Sequence, residues 1–226
     1  MKSKLMTQAE LATLQTSGKT LEQDERGIKV TLLPDGNMLK VFRLRGWFSS
    51  SLIYSNGRSF CRNAMRLQKS NIPTVKIIQL FHFRGSTITA VLYQPLVGET
   101  VNDLVRSKKL TENNCKELGG FIAQLHHLGI HFKSLHFGNI VLSTQGKFGL
   151  IDIADMRIYL WSLWLNTRIR GFKRLLRYQN DINLLGKANL ATLINAYVDA
   201  AHFSSARKQR LTAQLHLITH PLIVEN

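Results

Sequence analysis

Two residues with hard oxygen donors, Asn139 and Asp152, bracket a stretch that reads as a loop, a strand, a turn and a second strand, His131 to Met156. Ile140, Val141 and Leu142 form the first apolar run, Gln145-Gly146 is the turn, and Phe148 to Ile153 form the second run. That second run carries Asp152. A carboxylate inside a strand otherwise made of Gly, Leu and Ile is costly unless a cation or donors satisfy it. Asn139 precedes the first strand and Asp152 lies near the end of the second, so a hairpin of this length brings the two side chains close. An amide oxygen and a carboxylate converging at a hairpin mouth suit Mg²⁺. Asp155 is a third candidate, equally readable as a surface acid or a cap.

Leu135-His136-Phe137-Gly138-Asn139 resembles the L-H-x-G-N of bacterial small-molecule and lipopolysaccharide kinases, and Asp152-Ile153-Ala154 stands where those proteins have D-F-G or D-F-D. The resemblance is to the protein-kinase-like fold, in which a catalytic loop D-x-x-x-x-N is followed by a hairpin and a metal-binding Asp. One position departs from it. Ser134 stands where the family has its catalytic Asp, and Phe132 where it has a His. A serine hydroxyl is not basic at neutral pH, and a positioned base contributes roughly 10²–10⁴-fold. His136 is the first candidate to replace it, with His131 or a substrate phosphate as the others.

The elements that must position these residues follow in order. Thr7 to Thr16 predicts a short helix, with Thr7 as N-cap and Glu10 completing a capping box. Ser17-Gly18-Lys19-Thr20 is not a P-loop, because Thr13 stands where that pattern needs Gly and a helix, not a strand, precedes it. Strands are expected at Thr20–Gln23, Gly27–Leu33 and Asn37–Leu44, with turns at Asp24–Gly27 and Pro34-Asp35-Gly36. Lys40 lies in the third. The resemblance implies that it pairs with nucleotide phosphates, with Asp24–Gly27 as the covering loop; a solvated strand Lys is the plainer reading. Arg58 to Lys69 predicts a helix with Phe60, Ala64, Met65 and Leu67 inward. In kinase-like proteins that helix offers a Glu to the strand Lys. Here no acid occurs between Gly36 and Arg84, so the partner is absent or comes from elsewhere. Asn71-Ile72-Pro73-Thr74-Val75 resembles the entry to the fourth strand of small-molecule kinases. Lys76–Phe83 and Thr87–Tyr93 are expected to pair antiparallel. Tyr93 to Thr100 resembles the hinge between lobes, with Tyr93, Gln94 and Leu96 implied at an adenine edge.

The second lobe is expected to start at Val101–Arg106, with a helix from Glu112 to Gly129 carrying Leu118, Phe121, Ile122, Leu125 and Leu128 on one face. His126, His127, His131 and His136 cluster near its end, but no Cys or carboxylate joins them at zinc-ligand spacing. Arg157 to Arg177 is basic and aromatic, with no acid until Asp181. It reads either as an amphipathic helix with a solvated basic face or as a surface for anionic headgroups or substrate phosphates. Helices at about Ile182–Ala201 and Ser204–Thr219 close the chain. The expected architecture is α+β: a small antiparallel β lobe (1–93), a hinge (94–98) and a mainly helical lobe (99–226).

The 226 residues include 44% hydrophobic side chains, ample for a core. Cys61 and Cys115 are isolated, which suits a reducing compartment. The start lacks the apolar core of a signal peptide, and Ile158–Leu165 is too short to span a bilayer. Thirty Lys and Arg against 14 Asp and Glu give a net charge of +16, which calls for an anionic partner. No helix-turn-helix, RNP-like or zinc-finger pattern supports nucleic acid as that partner. Over residues 17 to 157 the chain resembles the bacterial lipopolysaccharide-core sugar kinases, the Kdo and heptose kinases and the "toluene tolerance" proteins of the same group. This resemblance implies ATP and Mg²⁺ as ligands and a sugar hydroxyl on a membrane-anchored glycolipid as acceptor. With no signal peptide and no span, the expected location is the cytoplasm, peripheral on the inner membrane of a Gram-negative bacterium, and the expected state is a monomer. The alternative is a pseudokinase, a binding or scaffolding module without turnover, favoured by Ser134, Phe132 and the missing helix Glu.

Overall fold

The computed structural model describes residues 2–43 and 57–224, with side chains as far as Thr219. The chain divides into two compact units. One comprises 1–97 together with 149–155, and the other comprises 98–148 and 156–226.

The first unit is built on a six-stranded sheet. Its elements are β1 (Ser3–Leu5), α1 (Gln8–Thr16), β2 (Lys19–Asp24), β3 (Gly27–Leu32), β4 (Met38–Phe42), α2 (Gly57–Lys69), β5 (Lys76–His82) and β6 (Thr89–Gln94). The strand order is β1-β5-β6-β4-β3-β2. All neighbours are antiparallel except β1, which runs parallel to β5 and has no alternating signature in sequence. Helix α1 starts as its capping box requires: Thr7 Oγ1 accepts from the Glu10 N–H, and the Glu10 carboxylate accepts from the Thr7 N–H. The expected strand Asn37–Leu44 is β4 as far as Phe42; Leu44 lies outside the described residues.

Alternation along β4 puts its residues on two faces. Leu39 and Val41 join Met6, Leu11, Phe81, Phe83 and Ala90 in one apolar cluster. On the other face Phe42 meets Phe60 of α2, ring centroids 5.5 Å apart, and Phe60 meets Tyr93 at 5.3 Å. The inward residues of α2, Phe60, Ala64 and Leu67, recur at helical spacing and are fully buried. Met65, expected inward, is exposed.

The second unit is mainly helical. It contains β7 (Gly98–Thr100), α3 (Val101–Arg106), α4 (Glu112–His127), β8 (Ile130–Phe132), a 3₁₀ turn at Phe137–Asn139 and β9 (Ile140–Ser143). The chain crosses to the first unit within β10 (Phe148–Leu150) and returns at β11 (Met156–Ile158). Helices α5 (Leu165–Leu175), α6 (Gln179–Leu185), α7 (Lys187–Asp199) and α8 (Ser205–Val224) follow. β7 pairs antiparallel with β9, and β8 with β11. The helix expected over Ile182–Ala201 is two helices, because Gly186 adopts a left-handed φ of 82° that ends α6 and lets α7 start in a new direction.

Helix α4 is the centre of this unit and packs along α7. His126 is buried there and shares a 2.8 Å hydrogen bond between Nδ1 and the Tyr197 hydroxyl. Arg168 of α5 is also fully buried. It donates from Nε to the Leu163 carbonyl (2.9 Å), from Nη1 to the Ala201 carbonyl (3.0 Å) and from Nη2 to Ser162 Oγ (2.7 Å). Its guanidinium lies 4.3 Å from the Phe203 ring centre. Among the described residues no helix is long and apolar enough to cross a membrane.

Burial, and then the charge of Arg168, hold the His126 pKa down to about 3. The unfolded chain keeps the ordinary histidine value near 6.5, so between these values it binds a proton that the folded chain refuses. His126 therefore contributes stability that is full above pH 6.5 and is lost as pH falls towards 3, by about 1.4 kcal/mol per pH unit. Thermal melts between pH 7 and 4.5 are expected to show His126→Gln losing less of its melting temperature on acidification than wild type. An equal loss in the two proteins would assign the acid sensitivity to other groups.

Candidate functional site

The catalytic-loop and hairpin residues divide between the two units, and each set is held by its own contacts. In the first unit, segment 149–155 docks beside the entry to β5. The Leu150 N–H donates to the Pro73 carbonyl (2.9 Å), and Thr74 Oγ1 donates to the Leu150 carbonyl (2.7 Å). A Cβ at Gly149 would stand 2.4 Å from the Pro73 carbonyl oxygen and 2.7 Å from Leu96, so only glycine fits there. Beyond Leu150 the strand stops. Asp152 takes a left-handed φ of 51°, and Ile153–Asp155 form a 3₁₀ turn fastened by Asn63 of α2, whose Nδ2 donates to the Ile153 carbonyl at 2.7 Å.

This corrects the sequence reading of Asp152 as a carboxylate inside a strand. It sits two residues past β10, with a side chain about 50% exposed. A protein cation stands against it. Lys40 Nζ pairs with Asp152 Oδ1 at 2.6 Å. Lys40 is only 6% exposed, and its ammonium lies 5.7 and 5.9 Å from the ring centres of Phe42 and Phe60. So α2, which carries no acid, gives the strand lysine one aromatic neighbour, Phe60, beside Phe42 of β4, and the counter-charge comes from Asp152. Helix α2 supports the pair indirectly, through Asn63 and the turn that holds Asp152. Nothing in the sequence singled Asn63 out; a fully buried amide on a mostly apolar helix face is visible only once the face is known. Asp155 lies in the same turn and is half-buried.

Of the expected adenine-edge residues, the Tyr93 side chain is a core element. It packs on Phe60, its hydroxyl donates to Met38 Sδ at 3.4 Å, and burial pushes its pKa up. Gln94 ends β6 and is exposed, and Leu96 packs against Gly149.

In the second unit, Asn139 closes the 3₁₀ turn and is buried. Its Nδ2 donates to the Ser134 carbonyl at 2.9 Å, which leaves the amide oxygen as the atom it can offer a cation. His136 caps the same turn: its Nδ1 accepts from the Gly138 N–H at 3.1 Å, and its ring meets Tyr178 edge-on at 5.6 Å. A neutral ring in that arrangement carries its proton on Nε2. His131 Nε2 lies 3.1 Å from Arg174 Nη1. Burial, followed by the charge of Arg174, holds the His131 pKa down to about 4. With His126 on Tyr197 and His127 against His202 (4.5 Å between rings), the four clustered histidines each have a different neighbour. Among the described residues no three His, Cys, Asp or Glu side chains gather at metal-ligand spacing.

No family model matches the chain, and no curated protein matches it in sequence. Solved structures do match in fold. WbdD aligns over 85% of this chain and 47% of its own, at 13% identity and a TM-score of 0.50. A second WbdD structure, described as a bifunctional kinase-methyltransferase, aligns over 85% and 46%, also at 13% identity and 0.50. The chain thus spans about half the length of the WbdD chains it matches, and its α+β fold is kinase-like. A divergent kinase lacking the glycine-rich loop, which regulates membrane ultrastructure of the Toxoplasma parasitophorous vacuole, aligns over 95% of this chain and 84% of its own. That match has 15% identity and a TM-score of 0.49 and adds no weight to the assignment.

Removing one partner of the Lys40–Asp152 pair leaves the other in an unequal state. Asp152→Asn strands a buried ammonium and is expected to lower unfolding stability in urea by about 1–3 kcal/mol. Lys40→Met leaves a carboxylate that water still reaches and should cost less. Equal losses would refute the unequal burial of the two charges, and a double variant whose loss is the sum of the two singles would mean the pair is not coupled.

Proposed function

We propose that this chain is a kinase-like phosphotransferase that takes Mg²⁺-ATP and phosphorylates a sugar hydroxyl on a membrane-anchored glycolipid such as lipopolysaccharide core. The observation that carries this reading is the Lys40–Asp152 pair: a nearly buried ammonium from β4 against a half-exposed carboxylate just past the hairpin. Those are the two chain positions at which the kinase resemblance implies a phosphate-binding Lys and a metal-binding Asp. A cation and a carboxylate within reach of one another suit a nucleotide phosphate with its divalent metal, because each then gains an opposite charge in place of its partner.

When bound, Mg²⁺-ATP supplies the transferable phosphoryl group and neutralises its charge. The chain's own residues hold it. Lys40 keeps a desolvated positive charge pointed at Asp152, where it acts on phosphate oxygens more strongly than a solvated lysine would. Asp152 offers carboxylate oxygens, and the left-handed backbone held by Asn63 fixes their place. Asn139 is assigned the amide-oxygen ligand, with its nitrogen committed to Ser134. The acceptor hydroxyl's proton falls to a substrate phosphate, or to His136 Nε2 in the tautomer that carries the ring proton on Nδ1 and gives up the Gly138 N–H.

That condition favours a second reading, a nucleotide-binding module without turnover. Ser134 has no basic group, His136 Nδ1 is spent on the Gly138 N–H, and His131 is spent on Arg174.

Thermal unfolding with and without ATP, in Mg²⁺ and in EDTA, tests the site. Ligand at a hundred times its Kd adds roughly 2.7 kcal/mol, or several degrees at about 2–4 °C per kcal/mol. The shift is expected to need Mg²⁺, to vanish in Asp152→Ala and to weaken in Asn139→Ala. No shift at saturating nucleotide would overturn both readings.

Turnover separates the two. Under the phosphotransferase reading, phosphate transfer to lipopolysaccharide core falls at least about 10²-fold in His136→Ala and rises in Ser134→Asp. A Mg²⁺-dependent shift with no transfer leaves the binding module.

A further inference from the structure

The basic, aromatic segment is not the single amphipathic helix its composition suggests. Two of its cations are inside or occupied: Arg168 is fully buried on neutral acceptors, and Arg174 faces His131. What faces water is a six-residue connection between β11 and α5. Leu160 is 99% exposed, Trp161 56% and Trp164 72%.

This connection is fastened at both ends. The Tyr159 N–H donates to the Gly129 carbonyl (3.0 Å), and the Leu163 N–H donates to the His126 carbonyl (2.9 Å). Leu163 itself is buried. From below, buried Arg168 grips the Leu163 carbonyl and Ser162 Oγ. The apolar side chains are therefore presented on a braced loop, with the backbone of its neighbours tied down.

We propose that the loop 159–164 is an interfacial anchor that sets Leu160, Trp161 and Trp164 among the headgroups of an anionic lipid bilayer. A fully exposed leucine beside two exposed tryptophans is a standing hydrophobic cost in water and a gain at a headgroup boundary, where indole rings are at home. The surroundings select an anionic surface. No Asp or Glu occurs between Asp155 and Asp181. The outward positions of α5 and the residues after it carry Arg170, Lys173 and Arg177, all exposed. These lie within one short helix of Trp164, and each adds attraction to an anionic leaflet. A second copy of the chain is disfavoured by repulsion between two bodies of net charge +16. Nucleic acid has use for the cations and the indoles but none for a fully exposed leucine. The anchor lies wholly within the second unit and does not depend on the nucleotide reading.

Flotation of the full chain with vesicles tests it, without nucleotide. Phosphatidylcholine vesicles alone are compared with vesicles containing about one part in three phosphatidylglycerol. Binding is expected to the anionic vesicles, to weaken with salt and to persist against millimolar inorganic phosphate. The triple variant Leu160→Ser/Trp161→Ser/Trp164→Ser should lose at least about tenfold in partitioning while keeping the wild-type melting temperature. Leu160→Phe should retain it. Arg170→Gln/Lys173→Gln/Arg177→Gln should abolish the preference for anionic lipid. The proposal is overturned by absence of vesicle binding, by displacement with free phosphate, or by a triple variant that binds as well as wild type. It is equally overturned if the tip instead mediates salt-insensitive self-association.

Discussion

A nearly buried lysine ammonium beside two phenylalanine rings has to find a negative charge, and that requirement organises the first unit. Lys40 lies on the α2-facing side of β4 because strand alternation gives Leu39 and Val41 to the opposite face. Helix α2 supplies no acid, so the carboxylate that meets the cation comes from elsewhere. Asp152, 112 residues later, is that carboxylate. Its arrival depends on Pro73 and Thr74 capturing Leu150, on Gly149 permitting the approach, and on Asn63 holding the turn that follows. Each of these is a local contact with a local cause. Together they make a segment that is late in sequence part of an early unit.

The second unit solves a different problem by similar means. Arg168 carries a charge into a helical core and meets carbonyl oxygens and a serine hydroxyl. Each of its three nitrogens donates to a fixed acceptor, which makes a buried guanidinium tolerable. The same bonds fix the connection that carries Leu160, Trp161 and Trp164. Burying one cation thus serves to present three apolar side chains. His126 and Tyr197 tie α4 to α7 within the same core, and His126 remains neutral there because its surroundings are both dry and positively charged.

Much of the fold was legible in the sequence. The Thr7–Glu10 capping box, strands β2 to β6 and helices α2 and α4 follow from periodicity and turn chemistry, which act over a few residues. What escaped had no local signal. β1 is three residues long and is a strand only because β5 offers an edge. β8 and β11 are equally short and define each other. The break at Gly186 was hidden in a window that is otherwise good helix former. Among the candidate residues, Lys40, Asn139 and Asp152 were singled out by motif spacing. Asn63 and the buried state of Arg168 were not, because burial is a property of a face and not of a residue.

By itself the sequence determined most of the element types and the α+β class, and it singled out Lys40 and Asp152 separately, since each rests on side-chain chemistry and short spacings. Only the tertiary structure decided which charges meet. It turned Asp152 from a strand residue into a half-exposed partner of Lys40, and it split a run of like cations into a buried brace and an exposed stripe. The physical reason is the same in both cases. The free energy of a charge is set by what surrounds it at a few ångströms, and those neighbours come from distant parts of the chain.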